Sequence, residues 1–217
     1  MNAQNCLEIL RSIKDVAFAT VDRDGKPQVR IIDMMLIEEG KLFFCTARGK
    51  DFYQELCDLP EAAITGMNEK YQMVCFNAKV KKLSDQKYWI DRIFEENPSM
   101  KDVYPGDSRY ILEPFVMDEG TLEFFDLGVS PIHRESFALK MPVKEKGFLI
   151  SDACIGCDTC QRNCPQQAII KGTPYVIKQE QRLQNGGGKA IFFLYKWVLC
   201  QFVCKKINLM PCDIIQL

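Results

Sequence analysis

The sequence predicts a mainly β protein with helices: an antiparallel barrel followed by a small cysteine-built module. Three observations carry that expectation. Up to residue 126 the apolar pattern switches between helical and strand periods, with turn residues between the runs. Roughly six or seven of those runs have strand character and follow one another in hairpin order, which suits an antiparallel barrel. Beyond residue 150 the pattern stops, and four cysteines fall at one tight spacing.

The elements follow in order. Ala3, Cys6, Leu7, Leu10 and Ile13 share one helical face, and Asn2 stands where an N-cap belongs. Residues 16–21 and 28–37 read as two strands around the DRDG turn at 22–25. Gly40 punctuates, and residues 41–46 make a third strand. Residues 51–59 form a short helix that Pro60 stops. Residues 62–67 and 72–83 are two further strands. Ser84 caps a helix running to about residue 96, with Trp89, Ile90, Ile93 and Phe94 facing inward. Residues 110–117 and 121–126 are expected to close the barrel as a hairpin around DEG. The barrel thus spans 1–128, a connector rich in Gly and Pro spans 129–148, and the second module spans 149–217. The apolar stretch within 189–217 is too short and too interrupted for a membrane span.

Bulk composition narrows the function classes. The chain has 217 residues, 47% of them hydrophobic, enough for a real core. With 28 basic against 29 acidic residues and no basic cluster, neither nucleic acid nor an anionic membrane is an expected partner. The opening MNAQNCLEILRSIK is too polar for a secretory segment. Eleven cysteines without such a segment predict a reducing compartment, the cytoplasm, with thiolates used for metal. Cys6, Cys45, Cys57 and Cys75 sit in apolar contexts and read as small core residues. His133, the single histidine, reads as a surface residue of the connector.

The cysteine run is the most specific signal. Cys154, Cys157, Cys160 and Cys164, followed by Pro165, have the C-x2-C-x2-C-x3-C-P spacing that holds a [4Fe–4S] cube in bacterial ferredoxins. Three thiolates from one tight loop reach three irons, and Gly156 gives the loop backbone freedom near sulfide. Zinc sites instead pair two separated C-x2-C units. The module is therefore expected to be a small ferredoxin-like iron–sulfur module. In two-cluster ferredoxins the fourth cysteine of each run serves the other cluster. A second run belongs near 182–193, but Arg182, Asn185, Gly188 and Phe192 occupy its cysteine positions. At most one cluster is expected, oxygen-sensitive and short of one ligand. It would be a labile cube or a [3Fe–4S] centre on three thiolates, or borrow Cys200, Cys204 or Cys212 from the tail, or fail to form.

A second site is legible in the barrel. Arg30 sits mid-strand among Val29, Ile31 and Ile32, where an unpaired charge is costly. Thr46, Arg48 and Lys50 crowd a turn just before a helix N-terminus. A hydroxyl, helical N–H groups and cations at one place suit a phosphate.

On strand order and the placement of Arg30, Thr46 and Lys50, residues 1–128 resemble the FMN-binding split barrel of the pyridoxamine 5′-phosphate oxidase-like superfamily. The segments PIHRESFAL and KGTPYVIKQE around the cysteine run resemble a branch that carries a ferredoxin tail. The resemblance implies FMN with its phosphate on Arg30, Thr46 and Lys50. It implies that backbone at Ile31 and Ile32 lies along the flavin ring, with Gln72 as a further contact. It also implies a homodimer with flavin at the interface, for which Met34, Met35 and Phe115 are candidate cover. Deazaflavin or haem is accepted by related barrels. The function expected is an FMN-dependent oxidoreductase or electron-transfer protein, serving a redox partner protein or a small substrate. The alternatives are a non-catalytic flavin-binding or redox-sensing protein, and a chain that holds neither cofactor.

Overall fold

Asn2 starts the first helix. Its side-chain oxygen accepts the Asn5 N–H at 2.8 Å, as the sequence predicts, and opens α1, Ala3–Ile13. Lys14 ends it at φ 67°, its N–H donating to the Leu10 carbonyl. The chain turns straight into β1, Asp15–Val21, which pairs antiparallel with β2, Pro27–Asp33. The DRDG turn between them is held by Asp22, whose Oδ1 accepts the N–H groups of Asp24 and Lys26 at 2.9 Å each.

The computed structural model describes residues 1–129, 132–143, 148–164, 167–178 and 214–216, with backbone alone for 148–149 and 214–216. Two units result, Met1–Val143 and Lys144–Leu217. In the first, β2 gives way to β3, Leu36–Glu38, and β4, Lys41–Ala47. Then come α2, Asp51–Asp58; β5, Glu61–Met67; β6, Gln72–Lys82; α3, Gln86–Glu96; and α4, Met100–Val103. A 3-10 turn over Gly106–Ile111 leads into β7, Leu112–Asp126, and β8, His133–Leu139. The order across the sheet is β2-β1-β5-β6-β7-β4-β3, with β8 also on β7.

Closure follows from that order. Strands β2 and β3 lie at opposite ends of the path, yet only Met34 and Met35 separate them in sequence. A link of that length spans about 10 Å, so the sheet must curl until its ends meet. The Met34 N–H donates to the Lys14 carbonyl and the Met35 N–H to the Phe43 carbonyl, one toward each end. The result is an antiparallel split barrel.

Four local expectations need correction. Residues 28–37 are two strands, because Met34–Met35 cross between sheet ends. The hairpin around DEG is instead the continuous strand β7, which β6 accompanies along its length with one register shift between Lys79 and Val80. Full-length pairing overrides the turn signal, and Gly120 is needed there: a Cβ would lie 2.1 Å from the Asn77 carbonyl oxygen. The cap of α3 is Asp85, not Ser84. Finally, His133–Leu139, within the expected connector, form β8 on the second half of β7.

Strand alternation on β4 divides the core. Phe44 points into the barrel, where Phe18 lies 4.9 Å and Phe115 5.5 Å away, centroid to centroid. Phe43 and Cys45 point the other way, onto α3, where Phe43 stacks on Trp89 at 4.7 Å beside Ile90, Ile93 and Phe94. Met34, Met35 and Phe115 are buried in these cores, so they provide no outer face for a partner. Val29, Ile31 and Met67 are the exposed apolar residues of the sheet instead. Cys6 and Cys45 are core residues as expected; Cys57 is exposed and Cys75 half-buried.

In the second unit β9, Phe148–Ile150, pairs antiparallel with β12, Ile214–Gln216. Between them lie α5, Thr159–Asn163, and the pair β10, Ile169–Ile170, with β11, Val176–Ile177. The expected remnant at 182–193 and the cysteines of the tail lie outside the described residues.

Candidate functional site

Register decides where Arg30 goes. It stands opposite Phe18, which is fully buried, so its side chain enters the barrel beneath α2. There Nη2 donates to Glu55 Oε2 at 2.8 Å. Nη1 donates to the Thr20 hydroxyl, which in turn donates to the same Glu55 oxygen. The guanidinium lies over the Phe52 ring, 4.6 Å from its centroid. The mid-strand cation is therefore paired, with Glu55 of α2. The Glu55 side chain is 7% exposed and that of Arg30 23%.

Thr46 is buried on β4, opposite Glu113 of β7. Arg48 donates to Glu113 at 3.0 Å and to the Tyr110 carbonyl at 2.6 Å. Lys82 reaches Glu113 at 3.3 Å and the Tyr53 hydroxyl at 2.9 Å. Lys50 is exposed and immediately precedes α2, its carbonyl accepting the Tyr53 N–H at 3.0 Å. Arg30 and Lys50 thus address the same helix, one at its start and the other one turn on. Cys45, next to Thr46, has its thiol pushed up to about 12 by burial and then by the negative charge of Asp33, against the opposing pull of Lys50.

Ile31 and Ile32 lie on β2, the edge of the sheet path, Ile31 pointing outward and 63% exposed. An edge strand offers unpaired backbone N–H and C=O groups along its open side. Gln72 is not brought to this place. It stands opposite Asp126, four residues along β6 from Phe76, which shares a row with Ile64, Phe18 and Arg30. That is about 13 Å along the strand, and its amide bonds Asn68 and Asp126. Sequence reading missed Glu55 and Thr20. Glu55 carried a signal, since it shares the buried face of α2 with Phe52 and Leu56 at helical spacing.

In the second unit, Cys164 is buried with Ile150, Ala168, Ile169 and Tyr175, and Cys154 and Cys160 pack against that same group. Gly156 at φ 70° and Asp158 at φ 62° turn the loop that carries the first three thiols. The Ala168 N–H donates to Cys164 Sγ at 3.4 Å. Cys157 Sγ lies 3.4 Å from the Thr159 hydroxyl; hydrogen bonding by Thr159, side chain then backbone, holds its thiol below the usual range, and Arg162 adds to this. Soft donors with hydrogen bonds at sulfur fit iron–sulfur ligation. Among the described residues no three ligand-type side chains gather round one point for a single ion; a cube takes one thiolate per iron.

A curled antiparallel sheet closed through Met34–Met35, followed in the same chain by a cysteine-built module, defines a split-barrel protein with an appended ferredoxin-type segment. Residues 3–103 match the pyridoxamine 5′-phosphate oxidase family, and residues 148–170 match the 4Fe-4S binding domain. Similar structures include a NimC/NimA family protein from Clostridium acetobutylicum, 23% identical, with 64% of this chain and 92% of that one covered and a TM-score of 0.55. Another is a protein related to general stress protein 26, of the pyridoxinephosphate oxidase family, from the same organism. It is 12% identical over 64% of this chain and 96% of that one, with a TM-score of 0.50. No curated protein matches the chain. The two matches fall one in each unit: the first is similar to the pyridoxamine 5′-phosphate oxidase-like split barrels, and the second holds a segment similar to a 4Fe-4S binding domain. Among the described residues no helix is long and apolar enough to cross a membrane.

Proposed function

We propose that the barrel binds FMN and that the chain is a cytoplasmic oxidoreductase or electron carrier working between FMN and one iron–sulfur cluster. The observation that carries this is the join of a split barrel, with cations at one helix start, to a ferredoxin-type cysteine run. Arg30, Thr46, Lys50 and the first N–H groups of α2 would hold the phosphate. The open backbone edge of β2 at Ile31 and Ile32 would lie along the ring. The exposed apolar face of Val29, Ile31 and Met67 would be covered by a second copy, giving a homodimer. Cys154, Cys157, Cys160 and Cys164 would supply thiolates for at most one [4Fe–4S] cluster. A bound flavin supplies two-electron chemistry and the cluster one-electron transfer, the usual conversion between a small substrate and a redox partner protein.

An absorption spectrum of anaerobically purified protein tests this. Flavin bands with a broad brown shoulder are expected, and a colourless protein refutes it. A second reading, flavin binding or redox sensing without turnover, is favoured by the absent thiols at Arg182, Asn185, Gly188 and Phe192. Rapid cluster reduction through the flavin by a reduced nicotinamide excludes that reading.

A further inference from the structure

We infer that Glu55 sets the affinity of the barrel for phosphomonoester ligands, by holding the guanidinium that such a ligand must share or take. This rests on the phosphate reading of Arg30. The geometry is a closed three-residue network. One oxygen of Glu55 receives both Arg30 Nη2, at 2.8 Å, and the Thr20 hydroxyl, and Arg30 Nη1 binds that hydroxyl from the other side. Phe52 covers one face of the guanidinium. Two of its donors are therefore spent on an internal anion. The remaining N–H groups stay within a ligand's reach, because the side chain is 23% exposed while that of Glu55 is 7% exposed.

A phosphomonoester bound to those remaining donors would bring its own negative charge close to the Glu55 carboxylate, in a place with little water to screen it. Binding then proceeds against Glu55, either beside it or by drawing Arg30 away from it. The same carboxylate keeps Arg30 extended beneath α2 when no ligand is present. Glu55 is thus a positioning residue with an opposing charge. It tunes the site toward ligands that bring both a dianionic group and a ring to bind elsewhere, and it disfavours inorganic phosphate alone.

The test is Glu55→Gln in the full chain, with FMN, riboflavin and inorganic phosphate as probes in fluorescence titration and competition. Gln keeps the shape and can still accept from Thr20 or Arg30, but it removes the charge. FMN is expected to bind roughly tenfold tighter or better, about the factor carried by one charged contact. Phosphate should compete better by a similar factor, and riboflavin affinity should not move. Unchanged or weaker FMN binding overturns the inference while leaving the FMN reading intact. Equal shifts for FMN and riboflavin overturn it too, since they report a change in the fold or ring pocket. A wild-type chain that binds no FMN overturns both. Should Glu55→Gln fail to fold, Glu55→Asp keeps the charge but withdraws it by one methylene. It is expected to tighten FMN a few-fold, and no change there overturns the inference.

Discussion

Replacing Arg30 by Ala tests the barrel and its site together. The change removes the partner of a carboxylate that is 7% exposed and leaves it with the Thr20 hydroxyl alone. Breaking a buried ion pair from one side costs about 3–5 kcal/mol. Arg30 is itself about a quarter exposed, so water reaches part of the gap, and the lower end, about 3 kcal/mol, applies. The lost contact with Phe52 adds about 0.5–1 kcal/mol. Against a total stability of about 5–15 kcal/mol this is a large loss. Urea unfolding followed by circular dichroism measures it. The double variant Arg30→Met with Glu55→Met removes both charges at similar volume but strands the buried Thr20 hydroxyl, and is expected to recover to within about 1–2 kcal/mol of wild type. A cost below about 1 kcal/mol for Arg30→Ala would refute the pairing. The comparison also protects the functional reading. Loss of FMN in Arg30→Ala alone reports unfolding as readily as a lost phosphate contact, whereas loss in the stable double variant reports the contact.

Gly120→Ala should cost about 3 kcal/mol or more by thermal melting, since the new Cβ meets backbone at 2.1 and 2.7 Å. Gly25→Ala, with open space around it, should cost about 1 kcal/mol for its positive φ alone. Asp33 is raised from 3.8 to about 6 by the hydrogen bond its protonated carboxyl donates to Asp15 directly across the ladder, then by burial and the Asp15 charge. The folded state keeps a proton there that the unfolded chain releases, so stability falls as pH rises from about 4 to 6. After allowance for solvent the loss is of order 1 kcal/mol, and Asp15→Asn should flatten most of that slope in pH-dependent denaturation, leaving the part due to burial. Anaerobically reconstituted protein should hold about three or four irons per chain; near eight refutes the single-cluster assignment, and near zero refutes ligation by the intact run. Ile31→Lys should shift the proposed dimer to monomer in light scattering, and an unchanged mass would remove β2 from the interface.

How far the sequence went depended on distance along the chain. The α1 cap at Asn2, the DRDG turn and most strands are written in neighbouring residues, and they were legible. Met34–Met35 looked like the middle of one strand because both are apolar, and only closure of the whole sheet makes them a crossing. The DEG turn signal lost to long-range pairing with β6. The same holds at the site. Arg30, Thr46 and Lys50 could be named from charge and context. Thr20 and Glu55 reach Arg30 through β1 register and the seating of α2, separations no local pattern encodes. Gln72 opens its strand as a polar residue, and only its row on the sheet sets it apart from Arg30, Thr46 and Lys50.

One consequence of β7 concerns how the barrel comes apart. Its inner edge runs with β6 from Phe115 to Asp126, while its outer edge is shared, Leu112–Met117 taken by β4 and Gly120–Asp126 by β8. No fraying event at a single neighbour frees it, because each half is held from both sides. Its amides in the stretches flanked on both sides, Phe115–Met117 and Gly120–Asp126, should therefore exchange with solvent deuterium only on global opening, and their protection would report the full stability of the first unit. The amides on the open side of β2, bonded on one side only, belong at the fast end of the same scale.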